Sequence, residues 1–159
     1  MAGQLWMLRH GEAEPHGSAN DADRCLTERG EQQARCAGVA LAAIGVTFSA
    51  VYTSPKVRGL NTALLACEAL GGEPVVYAGL SSGFGRSQAL ELIETEGADD
   101  RILVVGHEPD FSQTAFDLTG GRIDFKKGSV VGIRIESGAS ELLAVLRPRD
   151  LAAIAGSGV

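Results

Sequence analysis

The 159-residue sequence predicts an α/β fold: a three-layer αβα sandwich with a mostly parallel central sheet and some antiparallel pairing near one edge. Three observations predict it. Short apolar runs alternate with amphipathic ones through the first two thirds of the chain, the order that parallel sheets impose. One run, Arg101-Ile102-Leu103-Val104-Val105, is apolar almost throughout and suits a strand covered on both faces at the sheet centre. Residues 129–135 and 141–146 then read as two strands joined by Glu136-Ser137-Gly138-Ala139-Ser140, a hairpin.

Gln4-Leu5-Trp6-Met7-Leu8 reads as a buried strand. Residues 11–25 are polar and rich in Gly, Asp and Asn, so they read as a loop. Thr27 is placed to cap a helix, Ala34, Ala37, Leu41 and Ile44 recur at helical spacing, and Gly45 can end it. Ala50-Val51-Tyr52-Thr53 is a second strand. Ser54-Pro55 predicts a cap followed by proline at the first helical position. Val57, Leu60, Leu64 and Cys67 form that helix's expected apolar stripe, and Gly71-Gly72 stops it. Pro74-Val75-Val76-Tyr77 is a third strand, and residues 78–86, with three Gly and two Ser, read as a flexible loop. Residues 87–96 and 109–118 suit helices. After Pro148 a short helix over 150–155 precedes a frayed end.

The length fits one domain, residues 1–159, able to bury roughly two thirds of its unfolded surface. Apolar residues make up 45% and charged residues 21%, an ordinary balance for a globular protein. Aromatics are only 5%, so close-packed helices on a sheet are expected rather than an aromatic core. A net charge of −6 disfavours nucleic acid and anionic membrane as partners. Cys25, Cys36 and Cys67 are odd in number and lack metal-type spacing. Cys36 and Cys67 fall at helical core positions and read as small buried hydrophobes. No run approaches ~18 apolar residues and no export signal is apparent, so a cytoplasmic location is expected.

The chemistry sits at strand ends. Leu8-Arg9-His10-Gly11-Glu12 follows the first strand, and Val104-Val105-Gly106-His107 ends the fourth. Arg58 lies at the start of the helix after the second strand. In open α/β sheets ligands bind beyond the carboxyl ends of the strands, so these residues share one rim. Taken singly, each has a structural reading: a surface histidine, an ion-pair partner, a solvated charge, a helix cap. Four at equivalent strand ends make a phosphoryl site. The forked donors of Arg9 and Arg58 match phosphate oxygens. A neutral His10 is the nucleophile. The two arginines are expected to lower its pKa, and a carbonyl or carboxylate on its other nitrogen would fix the tautomer. His107 could donate to an equatorial oxygen. Helix N-termini near Pro55 and Pro109 add backbone donors, with the Glu108 N–H as one candidate.

The segments Leu8-Arg9-His10-Gly11-Glu12, Thr53-Ser54-Pro55-Lys56-Val57-Arg58 with Asn61-Thr62-Ala63, and Val105-Gly106-His107 resemble the histidine phosphatase superfamily, which contains the phosphoglycerate mutases. Arg24-Cys25-Leu26-Thr27 with Gly30, and the short length, are similar to its small SixA-type phosphohistidine phosphatase branch. The resemblance spans nearly the whole chain in order. It implies a phosphoglycerate mutase-like fold and His10 as the phosphorylated nucleophile. It also implies Arg9, Arg58 and His107 as the rest of the phosphate pocket, Arg24 near the substrate phosphate, and no metal or other cofactor.

One feature departs from the larger members, which supply an acidic proton donor from a loop after a middle strand. The matching loop here, Leu80-Ser81-Ser82-Gly83-Phe84-Gly85, has no carboxylate. An alkoxide leaving group needs a proton as it departs, whereas imidazole, with a pKa of about 6.5, leaves readily. The expected substrate is therefore phosphohistidine on a protein, in keeping with a shallow site and a role in signal transduction. Glu12 and Glu108 are open to two readings, proton donor or solvated and capping charge. Two alternatives stand beside this: a phosphatase of small phosphorylated metabolites, and a non-catalytic phosphate- or phosphoprotein-binding module. A mutase fits less well, because the chain is short for an enclosing lid. Arg122, Lys126 and Lys127 read either as a docking edge for an acidic partner or as an ordinary solvated turn.

Overall fold

In the computed structural model, which describes residues 3–97, 99–136 and 139–156, strands and helices alternate as the sequence predicts. The order is β1 (Gly3–Arg9), α1 (Glu28–Ala43), β2 (Ala50–Thr53), α2 (Val57–Leu70), β3 (Val75–Val76), α3 (Arg86–Glu96), β4 (Arg101–Gly106), α4 (Asp110–Thr119), β5 (Val130–Glu136), β6 (Ala139–Leu146) and α5 (Pro148–Ala155). One six-stranded sheet runs β3-β2-β4-β1-β5-β6. The first four strands of that row are parallel, and β5 and β6 add antiparallel pairing on the far side of β1. The apolar 101–105 run occupies the centre beside β1. The expected hairpin forms between β5 and β6, but its connecting Ser137 and Gly138 lie outside the described residues, as do 157–159 at the expected frayed end.

Strand side chains alternate between two helical layers. Leu5 and Met7 of β1 and Ile102 and Val104 of β4 pack with Ala89 and Leu92 of α3 and Phe111 and Ala115 of α4. Trp6, Leu8, Leu103 and Val105 face the opposite way, onto Ala37 and Leu41 of α1, Ala63 and Ala66 of α2 and Leu151 of α5. Each fully buried large aliphatic or aromatic chain contributes about 1.5–3 kcal/mol. The second layer is built from small residues. A Cβ on Gly38 of α1 would collide with the Ala66 carbonyl of α2, so these two helices touch backbone to backbone. Cys36 and Cys67 are buried there, as expected, and Cys25 is exposed.

Five local expectations need correction. α2 starts at Val57, not at Pro55, because the Ser54 hydroxyl accepts the Lys56 N–H at 3.1 Å and the chain bends before the helix begins. Its buried face is Arg58, Gly59, Thr62, Ala63, Ala66 and Cys67, while Leu64 is exposed, since close approach to α1 selects small side chains. Ile44 is likewise exposed at the α1 end. The third strand shortens to an exposed two-residue edge, Val75–Val76. Residues 78–86 are not a plain loop: a 3-10 turn spans Ala78–Leu80, and Leu80 and Phe84 anchor it in the core.

The polar segment after β1 is tied at its base. Ala13 and Leu26 form an antiparallel bridge. Thr27 N donates to the Glu12 carbonyl and Glu14 N to the Cys25 carbonyl, each at 2.9 Å. A 3-10 turn, Asp21–Asp23, lies at its far end. Thr27 caps α1 as expected, accepting the Gly30 N–H at 3.1 Å. Among the described residues no helix is long and apolar enough to cross a membrane.

Candidate active site

Strand register gathers the site. Arg9 pairs with Gly106 across β1 and β4, and Thr53 with Val105 across β2 and β4. His10, Ser54 and His107 are the next residues on three neighbouring parallel strands, so they emerge side by side. The two imidazole centroids lie 5.1 Å apart, and both histidines are only 6% exposed.

His10 is held by backbone. Its Nδ1 lies 2.7 Å from the Gly11 carbonyl oxygen, and Gly11 N donates to Thr62 Oγ1 at 3.1 Å. A carbonyl can only accept, so Nδ1 carries the proton and Nε2 keeps a free lone pair. This supplies the tautomer-fixing group that the sequence left unnamed. Glycine is required at position 11 because a Cβ would drive into the Gly30 carbonyl of α1. Burial pushes the His10 imidazole down to about 3; the Gly11 carbonyl opposes this, and Arg58, Arg9 and Lys127 add to it. The neutral state is as expected, but desolvation outranks the arginines as its cause.

His107 is held by a side chain. Its Nε2 lies 2.7 Å from Ser54 Oγ, which already accepts the Lys56 N–H. The arrangement that uses the serine proton has the hydroxyl donating to Nε2, which leaves Nδ1 as the N–H; this tautomer is assigned from the hydrogen-bond network. Burial, then His10, Arg58 and Lys56, lowers this imidazole to about 3 as well, against a raising effect of Asp21.

The arginines complete the ring. Arg9 Nη1 donates to the Phe125 carbonyl at 2.7 Å. Arg58 Nη1 donates to the Asp21 carbonyl at 2.7 Å and Nη2 to Asp21 Oδ2 at 3.2 Å. Arg9 Nε, Arg58 Nε and His107 Nδ1 are buried with no hydrogen-bond partner among the described residues. Buried unpaired donors cost about 1–3 kcal/mol each. Three in one place is a concentration typical of a functional site rather than of a settled core.

The four residues singled out from sequence, Arg9, His10, Arg58 and His107, line one small pocket of about 180 Å3. Arg24 and Glu108 line it too, together with Glu14, His16 and Lys127, which the sequence reading did not single out as site residues. Arg24 is a staple of the loop: its Nε and Nη2 donate to Asp21 Oδ1 and its Nη1 to the Glu14 carbonyl. Burial alone would raise the Asp21 carboxyl, but hydrogen bonds from Arg24 and Arg58, with Lys56 3.4 Å away, hold it below the usual carboxylate range. Glu108 Oε1 accepts the Ser112 N–H at 2.7 Å, so its carboxylate caps α4. Glu14 Oε1 accepts the Cys25 N–H, and Glu12 Oε1 accepts the Thr27 hydroxyl. Every carboxylate near the pocket thus has a structural partner. Sequence reasoning also missed Ser54 as the partner of His107 and Thr62 as the partner of Gly11 beside His10. The signal for Ser54 was present, a serine directly after a strand end, but it reads equally well as a helix cap.

The arrangement can bind an oxyanion, offer a nucleophilic imidazole nitrogen to it, and donate to it from a second imidazole. No group of three or more His, Cys, Asp or Glu among the described residues could hold a metal ion.

Comparison with known proteins points the same way. The model of the histidine phosphatase superfamily (branch 1) matches residues 5–86. An uncharacterised protein of Picosynechococcus sp. is 35% identical over 149 residues, covering 89% of each chain. Among solved structures, the protein histidine phosphatase SixA complexed with tungstate superposes with a TM-score of 0.82 at 24% identity, over 93% of this chain and 99% of that one. The phosphoglycerate mutase of Bacillus anthracis superposes with a TM-score of 0.79 at 17% identity, over 96% of both. At such identities the structural matches establish the phosphoglycerate mutase-like fold.

Proposed function

The chain belongs to the histidine phosphatase superfamily, and from that premise we propose that it is a phosphohydrolase working through a phosphohistidine at His10, with phosphohistidine on a protein as its substrate. The observation that carries this is the opposite wiring of the two imidazoles, a free Nε2 lone pair on His10 beside an unpartnered Nδ1–H on His107. Phosphoryl transfer rests on positioning and charge neutralisation, and two guanidiniums at the pocket, the buried Arg58 and the half-buried Arg9, supply both.

His10 Nε2 attacks phosphorus, and the substrate's P–N bond breaks. A substrate imidazole that enters protonated leaves neutral with that electron pair, so the step needs no acid. This agrees with the engaged state of Glu12, Glu14 and Glu108 and with the absence of a carboxylate from residues 80–85. Water then attacks phosphorus, the electrons of the P–Nε2 bond return to His10, a proton leaves to solvent and inorganic phosphate is released. Arg9, Arg58 and His107 bind the three equatorial oxygens in both steps.

The test combines trapping with a substrate panel. Rapid quenching should yield an acid-labile, alkali-stable phosphate on His10, absent from His10→Ala. A phosphohistidine peptide should be cleaved at least about 100-fold faster than an alkyl phosphate ester, reflecting the better leaving group. Undiminished turnover by His10→Ala rejects the nucleophile. A preference for alkyl esters rejects the substrate class and leaves the nucleophile standing.

A further inference from the structure

Beside the phosphate pocket lies a larger depression of about 500 Å3. Arg9 and Lys127 line both, so the two adjoin. Arg29 of α1, Lys126 of the 125–128 turn, and Arg147 and Arg149 at the start of α5 supply the other cations, and Glu12 is the single carboxylate in the lining. On a chain of net charge −6, this local balance is reversed. Its charges are only partly neutralised. Lys126 pairs with Asp124 at 3.1 Å, Arg147 with Asp150 at 3.5 Å, and Arg29 reaches Glu12 at 4.0 Å. Lys127 and Arg149 have no ion pair within 4.0 Å among the described residues. The N-terminus of α5 opens at the same place, where Pro148 joins the lining.

The groove is fixed relative to His10. Gly128 N donates to the Arg9 and His10 carbonyl oxygens at 3.1 and 3.0 Å, and Arg9 grips the Phe125 carbonyl. The turn carrying Lys126 and Lys127 is therefore bonded to the strand end that carries the nucleophile. Arg122, grouped with these lysines in the sequence, lies elsewhere, in a separate depression with Gln113 and Phe116.

We propose that this groove is a second anion subsite that receives acidic side chains flanking the phosphorylated residue of a protein substrate. The proposal rests on the reading of the substrate given above. The kind of anion follows from how the cations are held. The phosphate pocket is small, and its His10, Arg58 and His107 are buried. In the groove, the Arg29, Lys126 and Arg147 side chains are 68%, 62% and 57% exposed and come from three separate elements. Exposed charges contribute little singly and act as a field together. Such a row fits several carboxylates spaced along a segment rather than one compact anion.

The test uses the whole protein and the double variant Lys126→Ser/Arg149→Ser, both positions outside the phosphate pocket. At low salt, acidic residues flanking a phosphohistidine should lower KM about tenfold against neutral flanks, with kcat unchanged. The advantage should vanish in the double variant and at about 1 M salt, where screening reaches ~3 Å, while turnover of an aryl phosphate stays unchanged. Equal KM for both flanks in the parent protein overturns the proposal, as does an advantage that survives in the variant. A KM gain for a small bisphosphate over its monophosphate, with none for acidic peptides, also overturns it. A separate arm measures binding of an unphosphorylated acidic peptide by fluorescence anisotropy. Binding lost in the variant supports the groove even where no phosphohistidine peptide is cleaved, an outcome that would sink the substrate reading alone. Equal binding by both proteins overturns the groove.

Discussion

His10 and His107 stand at the ends of adjacent parallel strands, are equally buried, and are both pushed down to about 3, chiefly by burial. They differ in what holds them. A backbone carbonyl takes the proton of one ring and leaves its far nitrogen bare; a serine hydroxyl occupies the other ring and leaves its free nitrogen protonated. The same residue type, at the same depth, is thereby prepared for opposite tasks. In the proposed reaction, environment at the second nitrogen, more than burial or nearby charge, divides the roles.

The comparison breaks most visibly by removing each ring. His10→Ala should lose at least about 10^4 in kcat/KM and form no phosphoenzyme. His107→Ala should lose about 10^2–10^3, the usual cost of one transition-state donor, and still form it. Equal losses in steady-state and single-turnover assays would erase the distinction. Thr62→Val leaves the buried Gly11 N–H without its acceptor. It should cost about 1–3 kcal/mol of stability by chemical denaturation, with activity falling alongside; a cost near zero contradicts the role given to Thr62.

Acid should act on both imidazoles together. In the unfolded chain each returns to about 6.5, so between about 3 and 6.5 the unfolded state binds more protons than the folded one. Stability is then fully present above pH 6.5 and is lost as pH falls through that window, by up to ~1.4 kcal/mol per pH unit for each imidazole. The acid limb of kcat/KM should fall well below pH 6. A limb centred at 6.5, with flat stability from pH 7 to 5, would show both rings titrating normally. The smallest effect sharpens the comparison most. Ser54→Ala should lower kcat/KM about tenfold and change the His107 tautomer, visible in imidazole 15N shifts, while leaving His10 unchanged. An unaltered His107 spectrum would withdraw the tautomer assigned here.

Much of this was legible in the chain. The continuous apolar run of β4 and the alternation of runs gave the layers, and Arg9, His10, Arg58 and His107 do line one pocket. The misreadings share a physical source: they turn on contacts distant in sequence. Ser54-Pro55 has the form of a cap and first turn, yet His107, 53 residues away, shares the Ser54 hydroxyl and the helix starts later. Leu64 fits an apolar stripe, but the approach of α1 through Gly38 reserves the buried face for small residues. Leu80 and Phe84 sit among glycines and serines, and only the α4 side of the sheet reveals them as core. Arg24 was placed from resemblance alone, and its bonds to Asp21 and Glu14 depend on how the loop folds back.

The paired bonds at residues 12–14 and 25–27 work like a clasp on a purse. Pro15, His16 and Arg24, which lie between them, line the pocket, yet the clasp itself bears on the strand end and on α1. Among the described residues, Asp21 is the thread from that part to Arg58. Selection can therefore rewrite residues 16–20 while His10 keeps its place, whereas Asp21 and Arg24 are tied to the pocket through Arg58. Across related chains, that short stretch is where divergence in taste should collect, with Asp21 and Arg24 kept.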